Sequence, residues 1–301
     1  MKPASRLDTQ EESRFNMVSP VLKWAGGKRK IASRLIQLMP SEFGTYFEPF
    51  LGGAAMFLAI NPTDAVLGDV NKHLINFYST LASTPQELSE ALEVLKFKYD
   101  SLSSSAQKEL FYDIRARFNR QNSATDRSME SQDDSLGRAV DFYSLNKLGF
   151  NGLYRENSRG EFNVPCGGKK SFPGFDRQNL MDVAARLNIS TLVAGDYGSV
   201  VENSKEGDFI YFDPPYIPLT PTASFTSYSK AGFGLVEQEN LAETMRNLTG
   251  RGVKVMMSNS DTELTRRIFS DFHLETIEAP RVISSKSSTR GNVSEIVARN
   301  Y

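Results

Sequence analysis

Cysteine, histidine and long apolar runs are all scarce in this chain of 301 residues. Its single cysteine, Cys166, excludes an internal disulfide framework and fits a reducing cytoplasm. The two histidines, His73 and His273, stand at no ligand spacing from a cysteine, so no metal centre is expected. No stretch approaches the roughly 18–20 apolar residues of a membrane-spanning helix. Residues 1–19 lack the apolar segment of a secretory signal and read as a polar, disordered tail. No internal repeat is present. A net charge of −1 gives no global attraction to nucleic acid, so any such role must rest on local patches. Two phosphate-binding spacings are missing as well. G-x-x-x-x-G-K-[ST] fails around Gly27-Lys28, because Leu22 and Arg29 stand at its ends, and G-x-G-x-x-G is absent.

What is present is an ordinary globular composition, 40% hydrophobic and 24% charged, long enough for one large domain or two modest ones. The chain is organised around G-D-F-I-Y-F-D-P-P-Y at 207–216. Residues 209–212 form a short apolar run bounded by Gly and Pro, which is a strand signal. Pro214 must stop that strand, since it has no ladder N–H and a fixed φ. Asp213 therefore sits at the carboxyl end of a sheet strand, where open α/β sheets keep their sites. Asp213 and the Pro214 carbonyl offer two acceptors, Pro215 stiffens the turn, and Tyr216 offers a flat face. Together they suit a planar group with an exocyclic NH2, held by both hydrogens and stacked on a ring. Without more, the same residues can also be a turn after a core strand, with Asp213 as a cap.

Other stretches carry charge, faces or glycine. Lys23, Lys28, Arg29, Lys30 and Arg34 form an acid-free basic run, and Arg281, Lys286 and Arg290 form another. Each is either a solvated face or a phosphate contact. Residues 46–50 read as a strand, followed by a Gly52-Gly53 turn into an apolar helix, where small residues let a main chain approach a ligand. A second strand at 65–67 leads to Asp69, close to the spacing of about 20 at which an acid accepts from ribose hydroxyls. Capping the helix that begins near Asn71 is the alternative role. Residues 71–120 and 138–148 have helical spacing, and 122–135 read as a polar loop. Residues 150–173 lack periodicity but interleave Phe150, Tyr154, Phe162 and Phe172 with Arg155, Arg159, Lys169 and Lys170, a basic patch with aromatics. A helix at 179–187 and a strand at 189–193 precede Asp196, an acceptor for a cofactor amino group or a helix cap. Residues 224–228 read as a loop able to close over a ligand. Helix 238–248, strand 253–257, helix 263–269 and a hairpin of 282–290 with 293–298 complete the chain.

L-K-W-A-G-G-K (22–28), F-E-P-F-L-G-G (47–53), G-D-V-N (68–71), N-G-L-Y-R with R-G-E-F-N-V-P (151–165), D-P-P-Y and S-N-S-D-T (258–262) occur in one order. In that order the chain resembles the amino-group DNA methyltransferases, in particular the D12 class of Dam-type adenine-N6 enzymes with alpha-group motif order. The resemblance implies that Asp213, Pro214, Pro215 and Tyr216 are catalytic. It implies S-adenosylmethionine as cofactor, with Trp24, Lys28, Phe50, Gly52, Asp69, Asp196 and Asp213 around it. It further implies that Lys23, Phe150, Asn151, Leu153, Arg155, Pro165, Arg281 and Arg290 face duplex DNA. Among these Phe150 wedges into the base stack, Asn151 meets the orphan thymine and Arg155 reads the first guanine of a G-A-T-C site. Phe150 departs from the tyrosine typical of Dam, keeping the ring without the hydroxyl.

The expected fold is α/β, a Rossmann-like methyltransferase with a seven-strand mixed sheet and an inserted helical DNA-recognition domain at 72–175. Residues 20–71 and 176–301 make up the catalytic domain. The expected function is adenine-N6 methylation of a flipped base by a monomeric cytoplasmic enzyme, in a bacterial nucleoid or a virus-infected cell. Cytosine-N4 transfer, RNA adenine methylation and an inactive DNA-binding module stay open beside it.

Overall fold

The structure is a computed structural model that describes residues 18–123, 132–217, 233–280 and 292–301. The 224–228 loop, Arg281, Lys286 and Arg290 lie outside the described residues. In chain order the elements are α1 (Ala32–Gln37), β1 (Tyr46–Glu48), α2 (Ala55–Ile60), β2 (Ala65–Asp69), α3 (Lys72–Ser83), α4 (Pro85–Asp100), α5 (Ser104–Ser123), α6 (Gln132–Leu148), α7 (Arg177–Leu187), β3 (Ser190–Ala194), α8 (Tyr197–Val201), β4 (Phe209–Phe212), α9 (Leu235–Gly250), β5 (Lys254–Ser260), α10 (Glu263–Ile268), β6 (His273–Pro280) and β7 (Asn292–Arg299). Local chemistry sets several boundaries. Asn71 accepts from the N–H groups of His73 and Leu74 and starts α3, Asp176 caps α7 through Asn179, and Thr262 caps α10 through Thr265. Pro85 opens α4 at a position where its missing N–H costs nothing.

One seven-stranded sheet runs β3-β2-β1-β4-β5-β7-β6. The first five strands in that order pair in parallel, and β7 is antiparallel to both β5 and β6. Strand order reverses direction between β1 and β4, so the carboxyl ends of these two strands flank the crevice where open α/β sheets bind ligands.

The period of two in F-I-Y-F explains why β4 is apolar throughout. Phe209 and Tyr211 pack with the helical layer of α3 to α7, whereas Ile210 and Phe212 face Leu241, Met245 and Leu248 of α9. The first of these cores does not stop at the sheet. It continues without a break from Tyr46, Leu67 and Tyr211 through Phe77 of α3 to Leu92, Phe111, Phe118, Phe142 and Phe162.

One sequence expectation needs correction, and one strand needs adding. The polar stretch read as a loop from 122 is helical to Ser123, and α6 begins at Gln132, ahead of the expected 138. Among the described residues β7 pairs with β6, His273–Pro280, which the sequence pattern does not mark as a strand; the strand expected at 282–290 lies outside the described residues. Glu275 and Glu278 disguise β6; it lies at the sheet edge, where charged side chains are ordinary.

The interior of β2 tests this packing. A Cβ on Gly68 would meet Val200 Cγ2 of α8 at 2.3 Å. Gly68→Ala is therefore expected to lose about 1–3 kcal/mol. Combining it with Val200→Ala restores part of the loss, giving a coupling term between the two positions that chemical denaturation measures.

Candidate active site

Asp213 emerges from the end of β4 into this crevice, mostly buried. Its Oδ1 lies 2.6 Å from Lys28 Nζ and 3.4 Å from Ser258 Oγ. Burial pushes its carboxyl above the ordinary range, while the Lys28 ammonium beside it pulls the other way. Lys28, only 5% exposed, also donates to the Gly26 carbonyl at 2.7 Å and stands 4.6 Å from the centre of the Tyr216 ring. Lys28 thus does not share the outward role allowed for its basic run. Arg34 of that run pairs with Glu275 at 2.9 Å.

The D-P-P-Y turn is held from α9, β5 and β7. Gln238 Nε2 donates to the Pro215 carbonyl at 2.9 Å, and the Gln238 side-chain oxygen accepts from Asn259 Nδ2 at 3.0 Å. Asn259 Oδ1 accepts from Ile217 N, and Ser260 Oγ donates to the Ile217 carbonyl. Tyr216 donates its hydroxyl to Glu295 Oε2 of β7 at 2.6 Å. Ser258, Asn259 and Ser260 belong to the S-N-S-D-T stretch, so that motif fixes the turn that carries Asp213 and Tyr216. Gln238 and Glu295 carry no local sequence signal; only the pairing of distant elements exposes them.

A second cluster lies at the ends of β1 and β2. Asp69 accepts from Gly52 N at 3.0 Å and Asn71 N at 2.9 Å, and burial raises its carboxyl to about 6. Of the two roles considered for Asp69, helix capping falls to Asn71, while Asp69 ties the glycine turn to the strand end. Gly52 has φ +48, and a Cβ there would meet Trp24 Cδ1 at 2.7 Å, so this position requires glycine. Phe50 stacks on Tyr197 with ring centres 5.6 Å apart. Asp196 is exposed and caps α8, accepting from Ser199 N at 3.1 Å. A strand-end carboxylate, a glycine turn and a pair of stacked rings form a donor and contact set suited to a nucleoside.

Glu48, inside F-E-P-F, was not singled out from the sequence. Its Oε2 accepts from the Tyr46 hydroxyl and from Phe57 N, each at 2.8 Å, and burial raises its carboxyl to about 8.

The loop after α6 presents a third group. Gly152, Tyr154, Phe162 and Val164 are buried, whereas Phe150, Asn151, Leu153, Arg155 and Pro165 are exposed. Phe150 N donates to the Pro165 carbonyl, and Asn163 N to the Arg155 carbonyl, which ties a 3-10 turn at Phe150–Gly152, with Asn151 at φ +56, and the chain after it to the 162–165 segment. All five of the recognition residues expected in this loop are exposed. Arg155 Nε is oriented by Asn163 Oδ1 at 2.7 Å. Exposed Lys23 joins this group through its main chain, which exchanges hydrogen bonds with the Asn146 side chain at 2.9 and 2.7 Å. Lys147 stands nearby, lowered to about 8 by burial and then by the Lys23 charge. Trp24 stacks on Tyr154 at 5.7 Å and touches the Gly52 turn, joining the second and third groups.

Among the described residues no helix is long and apolar enough to cross a membrane, and no cluster of His, Cys, Asp and Glu is arranged to hold a metal.

The strand order and the D-P-P-Y turn at the switch point define the α/β methyltransferase class. Comparison with known proteins narrows it. The family model for D12 class N6 adenine-specific DNA methyltransferases matches residues 24–283. The chain is 36% identical over 297 residues to the type II methyltransferase M1.LlaDCHI of Lactococcus lactis subsp. cremoris, covering 98% of this chain and 99% of that protein. It is 36% identical over 278 residues to the DNA adenine methylase of Vibrio cholerae, covering 92% and 94%. Against the DNA adenine methylase of Salmonella typhi the identity is 34% over 277 residues, covering 92% and 93%. The chain belongs to the D12 class of N6 adenine-specific DNA methyltransferases and is an enzyme that methylates DNA.

Glu48 makes a prediction about pH. A carboxyl held at about 8 in the fold and at its ordinary 4.5 when unfolded binds a proton more tightly in the folded state. Its contribution is therefore fully present below the lower value and is lost as pH rises through the higher one. Glu48→Gln keeps an oxygen for Tyr46 and Phe57 but cannot ionise. The fall in melting temperature of the parent protein between those two values is expected to be shallower in the variant.

Proposed function

We propose that this chain transfers a methyl group from S-adenosylmethionine to N6 of an adenine extruded from duplex DNA, in a G-A-T-C site. The observation that carries the reading is the shared position of Asp213 and Tyr216 at the switch point, where the acid and one ring face meet at a single spot, marked by the Lys28 ammonium that touches both.

Within the helix an adenine cannot present N6 to a methyl donor, and extruding it costs a few kcal/mol. Stacking on the Tyr216 ring, on the order of 1–3 kcal/mol, offsets much of that. Phe150, 52% exposed at the tip of the recognition loop, is the residue to fill the vacated place in the stack. Asp213 accepts one N6 hydrogen. The Pro214 carbonyl accepts the other, since the Pro215 carbonyl is engaged by Gln238. Drawing on both hydrogens turns the nitrogen lone pair out of conjugation with the ring. As the new C–N bond forms, N6 gives up a proton, and Asp213, made more basic by burial, is the acceptor within reach. Rate then comes from orientation and from a pocket that excludes water, with Glu295 and the Gln238–Asn259 pair keeping the turn rigid.

S-adenosylmethionine, when bound, supplies the methyl group on a positively charged sulfur. Phe50, Gly52 and Asp69 are the residues to hold its nucleoside, with Trp24 behind the glycine turn and Asp196 at its rim. Residues 72–175 serve as the target-recognition segment, set into a catalytic domain formed by 20–71 and 176–301. Arg155 reads guanine, Asn151 meets the orphan thymine, Leu153 and Pro165 contact the outer half of the site, and Lys23 reaches the duplex beside them. Arg281 and Arg290 are assigned to the DNA backbone from the sequence alone. A duplex substrate of this kind puts the reaction in the bacterial cytoplasm or in a phage-infected cell.

The decisive experiment incubates plasmid with protein and labelled S-adenosylmethionine, then digests it with nucleases that adenine methylation blocks at known sites. Label in N6-methyladenine with protection at G-A-T-C is the expected result; label in cytosine, or none in duplex DNA, refutes the proposal. Asp213→Ala is expected to keep duplex binding and lose about 100-fold or more in transfer rate, as measured in single-turnover assays. Arg155→Ala is expected to give up about 1–3 kcal/mol of discrimination at one base pair, visible as protection spreading to sites altered at that position.

A further inference from the structure

The Lys28 ammonium makes the contacts that the proposed function assigns to a base. It bonds Asp213 Oδ1 at 2.6 Å, stands 4.6 Å from the centre of the Tyr216 ring, and is fixed from behind by the Gly26 carbonyl at 2.7 Å. A purine whose amino group reaches Asp213 and whose ring lies on Tyr216 would occupy the same volume. We propose that Lys28 is the resident occupant of the base seat, and that a target adenine enters by exchanging with it. The inference rests on the functional reading above and adds a step to it.

Electrostatics explain why such an occupant is needed. Asp213, Glu295 and Glu48 all feel the charge of Lys28, and the first two are acids that flank the seat. An empty seat would leave a mostly buried carboxylate with no cation beside it, held only by Ser258 and whatever water enters. Lys28 compensates it while no base is bound. The exchange also discriminates. An amino-bearing base replaces the bond that the ammonium gives up, whereas a base presenting only an oxygen at that edge cannot, so Lys28 stays. Departure of the ammonium then removes the charge that holds Asp213 acidic, at the stage where Asp213 must take a proton from N6. Lys28 is thus a positioning residue for base entry, acting through Asp213.

The test uses the full chain without cofactor and a duplex carrying 2-aminopurine next to the target adenine, whose emission rises when its neighbour leaves the stack. Lys28→Ala is expected to extrude the adenine several-fold more than the parent protein at equal duplex binding. Ethylammonium chloride, a free version of the missing head group, is expected to reverse that gain relative to equal sodium chloride, and to leave the parent unaffected. Equal extrusion by parent and variant overturns the exchange. So does an ethylammonium effect no larger than that of sodium chloride. Should Lys28→Ala not fold, Lys28→Met keeps the side-chain volume and carries the same extrusion expectation. In the parent protein, the Lys28 15Nζ resonance is expected to move when an adenine duplex is added, and to stay when hypoxanthine replaces the target. Movement with both or with neither overturns the proposal. Loss of methyl transfer in Asp213→Ala reports on the seat itself, so a sound seat with an inert Lys28 is a separate result.

Discussion

A carboxylate buried at the end of an apolar strand is the constraint to which this structure answers. Phe209 to Phe212 have no polar side chain to share with Asp213 apart from the Tyr211 hydroxyl, which is turned to Ser258 at 2.7 Å. The acid must find its compensation from other parts of the chain, and it does so through Lys28 and Ser258. Taking away one member of such a buried pair typically costs on the order of 3–5 kcal/mol, because the other charge remains. That cost makes the crevice a place where charge is closely balanced. The neighbouring acids follow the same rule: Glu48 is held by a hydroxyl and a main-chain N–H, and Glu295 by the Tyr216 hydroxyl.

Much of this was legible from residue order because the elements concerned obey short-range rules. Pro214 had to end β4, and the β4 run is so short and apolar that burial on both faces was the natural reading. The glycine turn at Gly52 and the acid at Asp69 follow from spacing along one β–α–β stretch, and the structure unites them with a single hydrogen bond. From composition the edge at Phe150, Asn151, Leu153, Arg155 and Pro165 was a run of aromatics and arginines, and only the family resemblance named its residues one by one. Their common exposure emerges once the loop is folded back on the 162–165 segment.

What escaped reading depends on partners far apart in the chain. Nothing local tells Lys28 from Lys30, yet one is buried against Asp213 and the other is exposed. Glu295 acquires its role only because β7 runs antiparallel beside β5 and brings its side chain to Tyr216. β6 was missed because glutamates at 275 and 278 put a charge on each of its faces, a choice tolerated at an edge and misleading in a string of letters.

The helical segment and the sheet share one continuous apolar interior, so the loop after α6 and the D-P-P-Y turn are set on one packed core. At their junction stands the chain's only tryptophan, with Tyr154 against its ring and the Gly52-Gly53 turn against its edge. Its partial exposure keeps it sensitive to whatever arrives on either side. The indole is therefore a built-in optical reporter: ultraviolet emission from one residue follows the state of both the glycine turn and the loop after α6, the places proposed for the nucleoside and the duplex, with no label attached.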